Sequence, residues 1–124
     1  MYLNRLTLIG FIGGDAETKT ISNGSTLTSF SVATQRSCKN SEGAWESRTE
    51  WHRCVSFGKL ADFAAALKKG AHVEVEGELR SREYEKDGAK YKVFECRLDS
   101  ILKLDRAVRR EEDQPDPSES YTAP

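Results

Sequence analysis

The 124-residue chain is predicted to be all-β, a five-stranded Greek-key barrel with one short helix between the third and fourth strands. Three observations predict this. Apolar residues alternate at period two in segments on both sides of residue 60. The period changes to that of a helix in one place only, between 59 and 70. Asn23-Gly24 and Asp87-Gly88 are hairpin dipeptides set between such segments.

The first strand is "YLNRLTLIGFIGG", rich in β-branched and large apolar residues, with a bend expected near Gly10 and Gly13-Gly14. "DAETKTISNGSTL" carries the first hairpin signal. "TLTSFSVATQ", 26–35, is the second strand, with Thr28, Phe30 and Val32 on one side. "RSCKNSEGAWESR" is polar and contains glycine, so a loop or hairpin tip is expected there, holding Trp45. The third strand runs from Arg48 to Phe57. In "KLADFAAALKKG", Leu60, Phe63, Ala64 and Leu67 fall at i, i+3, i+4 and i+7, the spacing of a short amphipathic helix. Lys68 and Lys69 are expected in its last turn and Gly70 as its C-cap. "HVEVEGELR" returns to period two, with Val73, Val75 and Leu79 inward and Glu74, Glu76 and Glu78 outward. "SREYEKDGAKYKVFECRLDSILKL" completes a long hairpin about Asp87-Gly88. That turn sets Glu85 opposite Lys90 and Tyr84 opposite Tyr91, both favourable pairs. Three strands, a helix and two more strands is the order of an OB-fold, which commonly binds oligonucleotides or oligosaccharides across its second and third strands. Two regions are expected, a folded domain over 1–104 and an acidic, disordered tail over 105–124, where "DRAVRREEDQPDPSESYTAP" has little to bury.

The charge follows the same division. The net charge is -1, but residues 1–104 hold 16 Lys and Arg against 14 Asp and Glu, and 105–124 hold 3 against 6. The chain as a whole is not a basic nucleic-acid binder by composition. Cys38, Cys54 and Cys96 are odd in number and form no C-x-x-C pair, which argues against a disulfide framework and fits a reducing, cytoplasmic setting. No apolar run is long enough to span a membrane.

"TEWHRCVSFGK", 49–59, carries the chemistry. One parity of this strand holds Trp51, Arg53, Val55 and Phe57; the other holds His52, Cys54 and Ser56. Trp51, Val55 and Phe57 could pack a core. Arg53, in the middle of that parity, decides against it, because burying an unpaired guanidinium is costly and stacking it beside exposed aromatic rings is favourable. The small residues of the other parity suit a crowded interior or a subunit contact. The odd face is therefore expected to be an exposed stacking surface with a cation in it. Such a surface suits single-stranded nucleic acid, since every base has a π-face and stacking contributes about 1–3 kcal/mol per base. Trp51 and Phe57 would lie ~20 Å apart along the strand, a track of several nucleotides. Lys19 in the first connection, Lys39 in the second, Lys59, Lys68 and Lys69 at the helix ends, and Arg80 and Arg82 leading into the last hairpin are candidates for phosphate contact.

"NRLTLIGFIGGDAE", "TEWHRCVSFGKLADFAAALKKG" and "VEVEGELRSREY" resemble the bacterial-type single-stranded DNA-binding proteins, in collinear order from Leu3 to about Leu104. The resemblance implies an OB-fold that assembles as a homotetramer and wraps single-stranded DNA, in replication, recombination and repair. On matching positions it implies that Trp51 and Phe57 stack bases with Arg53 beside them. It places Tyr84 where the family has an aromatic residue, Lys59, Lys69, Arg80 and Arg82 at basic DNA-contacting positions, and Lys19 at a basic loop position. It places His52 near a subunit interface and away from DNA. Three departures stand out. Cys38 occupies the place of a further stacking tryptophan, Glu83 stands where lysine is common, and the chain ends "SESYTAP" where the family carries an acidic, phenylalanine-ended tip that recruits replication and repair proteins. Recruitment by that mode is not expected here.

Two other binding readings stay open on the residues alone: an accessory OB protein that binds DNA weakly as a dimer, and an RNA-binding OB module, since stacking surfaces tolerate both sugars. No enzyme and no cofactor is expected. Glu74, Glu76 and Glu78 alternate outward rather than cluster for metal catalysis. Glu50 and His52 lack a nucleophile with an orienting third group, and the cysteines and histidines lack zinc-ligand spacing. No Walker-type phosphate loop is present.

Overall fold

Alternating side chains let a strand serve a core on one parity and solvent on the other, and this chain closes such strands into a barrel. The computed structural model describes residues 1–105 and 120–122. It contains β1 (Leu6–Ile12), β2 (Glu17–Thr20), β3 (Thr26–Lys39), β4 (Trp45–Phe57), α1 (Gly58–Ala65), β5 (His72–Lys86), β6 (Ala89–Lys103) and β7 (Ser120–Thr122). The hydrogen-bonded order β1-β5-β6-β4-β3 returns to β1 through Phe11↔Ala33 and Ile12↔Val32, so five strands form a closed OB barrel. The helix stands between the third and fourth barrel strands, as expected. β2 is a hairpin partner added to β3, and β7 pairs with β6 at Ser100–Leu102.

The core is mainly aliphatic, with Phe30 among the buried side chains and small residues beside it. Val32, Val73, Val75 and Ile101 are fully buried, with Ile12 and Leu60 nearly so. Cys54, Ser56 and Thr28 fill the narrow side. The polar ones are satisfied: Thr28 Oγ1 donates to the Ala61 carbonyl at 2.8 Å, which ties α1 to β3, and Ser56 Oγ donates to the Thr28 carbonyl. β4 meets β6 in parallel at just Cys54↔Cys96 and Val55↔Arg97. On β5 a bulge at Glu76/Gly77 turns the strand, and a β-carbon on Gly77 would collide with the Arg97 carbonyl. The glycine is what allows β5 and β6 to approach there.

Several expectations are corrected. Of the loop and the hairpin tip expected over 36–48, the hairpin forms and its strands reach further than expected: β3 and β4 stay paired out to Lys39↔Trp45 in a long ribbon, closed by a turn whose Glu42 and Ala44 N–H groups donate to Asn40 Oδ1. Lys19 lies within β2, opposite Leu27, and not in a loop. The helix ends at Ala65, before Lys68 and Lys69. The Ala66 N–H turns back to the Phe63 carbonyl and the Leu67 N–H to the Ala64 carbonyl, which tightens the last turn. Gly70, at positive φ, then donates its N–H to the Ile12 carbonyl and so joins the turn to β1 instead of capping the helix. Leu79 keeps the inward parity but is 47% exposed, because β5 and β6 run on past the barrel as a two-stranded arm. Just past β6, Leu104 N–H donates to the His72 carbonyl and His72 N–H to Asp105 Oδ2. The expectation of a disordered tail falls, for 106–119 and 123–124, outside the described residues.

Candidate nucleic-acid interface

The odd parity of β4 faces outward at Trp51 and Arg53 and partly at Phe57. Trp51 is 61% exposed and the Arg53 side chain 43%, Phe57 is half-buried, and Val55 between them is buried. The opposite parity turns in: Cys54 and Ser56 are fully buried, and half-buried His52 places Nε2 2.9 Å from Thr34 Oγ1. The parity argument from the sequence thus holds at Trp51 and Arg53 and for the inward Cys54 and Ser56, but it is corrected at Val55, which is 3% exposed because β4 enters the closed barrel there and is covered on both faces.

Neighbouring strands widen the row into a face. On one side β3 sets Ala33, Ser31 and Leu27 opposite Trp51, Arg53 and Phe57, small residues at the first two positions that leave the indole and guanidinium standing clear. Lys19 is opposite Leu27 and so lies two strands from Phe57 on the same face. On the other side, the parallel contact with β6 brings in Glu95 and Arg97. The β5–β6 register adds Arg80 opposite Glu95 and Arg82 opposite Val93. Arg97 stacks its guanidinium 4.5 Å from the Phe57 ring centroid. Arg53 Nε and Arg82 Nε both donate to Glu95 Oε2, at 3.1 and 3.4 Å. Arg80 donates to Glu78 at 2.6 Å. A groove of about 400 Å³ opens beside Trp51 and Arg53, walled by Gly13, Asp15, Glu17 and Ser31.

Two aromatic groups extend from this face on the arms. Tyr84 and Tyr91 stack at 5.4 Å near the tip of the β5–β6 hairpin, where Asp87 and Gly88 both have positive φ. Trp45 is 68% exposed at the tip of the β3–β4 ribbon, with Lys39 Nζ 5.3 Å from its ring. Lys59 is exposed in the first turn of α1. Lys69 is exposed beyond the helix, its backbone N–H bonded to Asp15 Oδ1. The structure therefore brings Trp51, Arg53, Phe57, Arg82, Arg80 and Lys19 onto one continuous face, sets Tyr84 farther along an arm, and leaves Lys59 and Lys69 at the helix.

Glu95 and Arg97 belong to this face, although sequence reasoning does not single them out. A signal exists: once Asp87-Gly88 sets the hairpin register, Arg80 falls opposite Glu95, and the outward parity of the last strand must be 93, 95 and 97. Among the described residues no group of His, Cys, Asp and Glu could hold a metal ion, and no helix is long and apolar enough to cross a membrane.

A closed OB barrel with an exposed row of rings interleaved with guanidinium groups has the build of a nucleic-acid-binding domain. The model of the single-strand binding protein family matches residues 3–104, and the chain belongs to that family. It is 43% identical over 84 residues to single-stranded DNA-binding protein 1 of Chlorobaculum tepidum, covering 67% of this chain and 52% of the relative. It is 46% identical over 83 residues to the single-stranded DNA-binding protein of Xanthomonas campestris pv. campestris, covering 66% and 48%. The chain thus spans about half the length of these curated relatives. Among solved structures, the Plasmodium falciparum SSB complex with ssDNA matches with a TM-score of 0.77 at 28% identity, over 85% of this chain and 97% of that one. A deletion mutant of the Thermus aquaticus single-stranded DNA binding protein matches with a TM-score of 0.72 at 28% identity, over 83% and 51%.

Proposed function

We propose that this protein binds and protects single-stranded DNA without sequence preference during replication, recombination and repair. It acts as a non-catalytic homotetramer in the cytoplasm. The observation that carries the reading is the outward row Trp51–Arg53–Phe57, flanked by Arg82 and Arg97. Bases stack on Trp51 and Phe57, and farther out on Tyr84; phosphates run along Arg53, Arg97, Arg82, Arg80 and Lys19, with Lys59 and Lys69 beyond. Stacking tolerates any base, and cations that follow phosphates read no sequence. Binding holds the single-stranded form and so shifts a duplex toward opening by mass action. His52, turned away from this face, serves a subunit contact. The proteins similar to this chain bear single-stranded DNA binding in their names, which supports the same reading.

Tryptophan fluorescence during a poly(dT) titration, at low and at high salt, tests it. Saturable quenching that survives high salt in part is the expected result, because stacking is less salt-dependent than phosphate contact. Absence of quenching would reject base stacking and favour an accessory protein that works through protein contacts.

A further inference from the structure

The geometry points to Glu95 as a positioning residue, an acidic group that orients Arg53 and Arg82 toward a nucleic-acid backbone; this rests on the DNA-binding reading of the face. A carboxylate in the middle of a phosphate-binding surface invites the opposite reading, that it competes with phosphate and weakens binding. Three features of the site decide between them.

First, both arginines approach the carboxylate through Nε, at 3.1 and 3.4 Å. A guanidinium has five donors in a rigid planar fork. Engaging its Nε edge leaves terminal Nη donors free to meet a second acceptor. A phosphate competitor would sit on the Nη groups themselves. Second, the exposures differ. The Glu95 side chain is 14% exposed, while those of Arg53 and Arg82 are 43% and 49% exposed. The acid lies beneath the two cations rather than in front of them. Third, both bonds converge on one oxygen, Oε2. The two guanidinium groups, from β4 and from β5, are thereby held to a common point on β6. Left alone, two like charges at this spacing would repel and swing apart on long side chains. The two hydrogen bonds to Oε2 hold them in place against that repulsion, and less rotamer entropy then has to be given up when phosphates bind.

The test is poly(dT) affinity and its salt dependence for Glu95→Ala and Glu95→Gln, with wild type titrated alongside. Both variants remove the same negative charge, but glutamine keeps an acceptor oxygen that can take both Nε bonds. The expected result is that Glu95→Ala binds about tenfold more weakly, the scale of removing one charge-assisted hydrogen bond. Its log–log salt slope becomes shallower by about 0.7 for each phosphate that is no longer neutralised. Glu95→Gln recovers most of the affinity and the wild-type slope. If Glu95→Ala instead binds as tightly as wild type or tighter, with a steeper slope, Glu95 is a competitor and the inference is overturned. Equal weakening in Glu95→Ala and Glu95→Gln, with thermal unfolding unchanged, also overturns it, since the acceptor would then have no part. Failure of the wild type itself to bind would sink the DNA-binding reading, and is thus distinguishable from either result.

Discussion

Trp51 rests against Gly13: the indole occupies the space that a β-carbon on residue 13 would take. Gly13 is also pinned by its N–H, which donates to the Ser31 carbonyl at 3.0 Å, so the backbone there has little room to yield. Glycine at 13 is thus part of how the ring lies across the face. Gly13→Ala is expected to turn the indole and weaken poly(dT) binding about tenfold. The melting temperature should shift by no more than a few degrees, because Gly13 lies outside the core. Emission spectra of the free protein, melting curves and titrations together check this; unchanged affinity would show that the ring is oriented by something else.

The two tryptophans can be separated. Trp51→Ala is expected to cost ~1–3 kcal/mol of binding per subunit and to remove most of the quenching. Trp45→Ala, at the ribbon tip, should leave the quenching of Trp51 in place. If quenching instead survives Trp51→Ala and disappears with Trp45→Ala, the base track follows the ribbon and not the barrel face.

Arg97 and Arg80 carry the same charge in different company. Arg97 lies over the Phe57 ring, whereas Arg80 gives the Glu78 carboxylate both Nε and a terminal Nη, unlike Arg53 and Arg82, which meet Glu95 through Nε alone. Arg97→Ala should therefore reduce the salt slope by about 0.7, the value of one phosphate on single-stranded DNA. Arg80→Ala should change it less. Slopes measured from 50 to 300 mM salt on a fixed oligonucleotide, roughly the range over which counterion release is read, would show the ranking; a larger effect at Arg80 would contradict it.

Cysteine chemistry gives a prediction independent of DNA. The Cys54 thiol is pushed far above the ordinary thiol range, first by its hydrogen bond with Cys96 and then by burial, while that same bond lowers Cys96. Both are buried, and Cys38 on the ribbon is half-buried. A thiol reagent at about pH 8, near the ordinary thiol range, should label Cys38 in the folded protein and reach Cys54 and Cys96 only on denaturation. Rapid labelling of all three under native conditions would mean that the barrel opens readily.

Gly77→Ala tests the barrel itself. Its β-carbon would meet the Arg97 carbonyl, a backbone atom that cannot swing aside. A loss of ~2–4 kcal/mol of stability is expected, the scale of overpacking combined with backbone strain. Denaturant unfolding measures it, and a loss under about 1 kcal/mol would show that β5 and β6 can separate at little cost.

The sequence makes some of this legible for clear physical reasons. Asp87-Gly88 permits the left-handed backbone at both positions, and the register Glu85↔Lys90 and Tyr84↔Tyr91 follows as expected. Arg53, costly to bury, assigns the outward positions of Trp51 and Arg53 correctly, while Val55 on the same parity is buried where the barrel closes over it. What stays hidden is equally specific. β2 and the outer ribbon are polar on both faces, so no alternation marks them as strands, and Lys19 reads as a loop residue. The early end of α1 depends on bonds from Ala66 and Leu67 that apolar spacing does not encode. Glu95 and Arg97 join the site through a parallel contact with β4 that only the closed barrel supplies.

That contact has a consequence for how the protein comes to be made. β4 and β6 touch at Cys54↔Cys96 and Val55↔Arg97, and the Arg53–Glu95 bond spans 42 positions of the chain. On a ribosome, Trp51, Arg53 and Phe57 emerge well before the strand that completes their surroundings, and non-local closure of this kind is slow to form. A nascent chain that has not yet released β6 displays aromatic rings with no ordered guanidinium groups around them. On the proposed DNA-binding reading, the surface that would hold a strand is complete only once the last barrel strand has been made, and a chain that stops short of β6 lacks both the barrel closure and that surface.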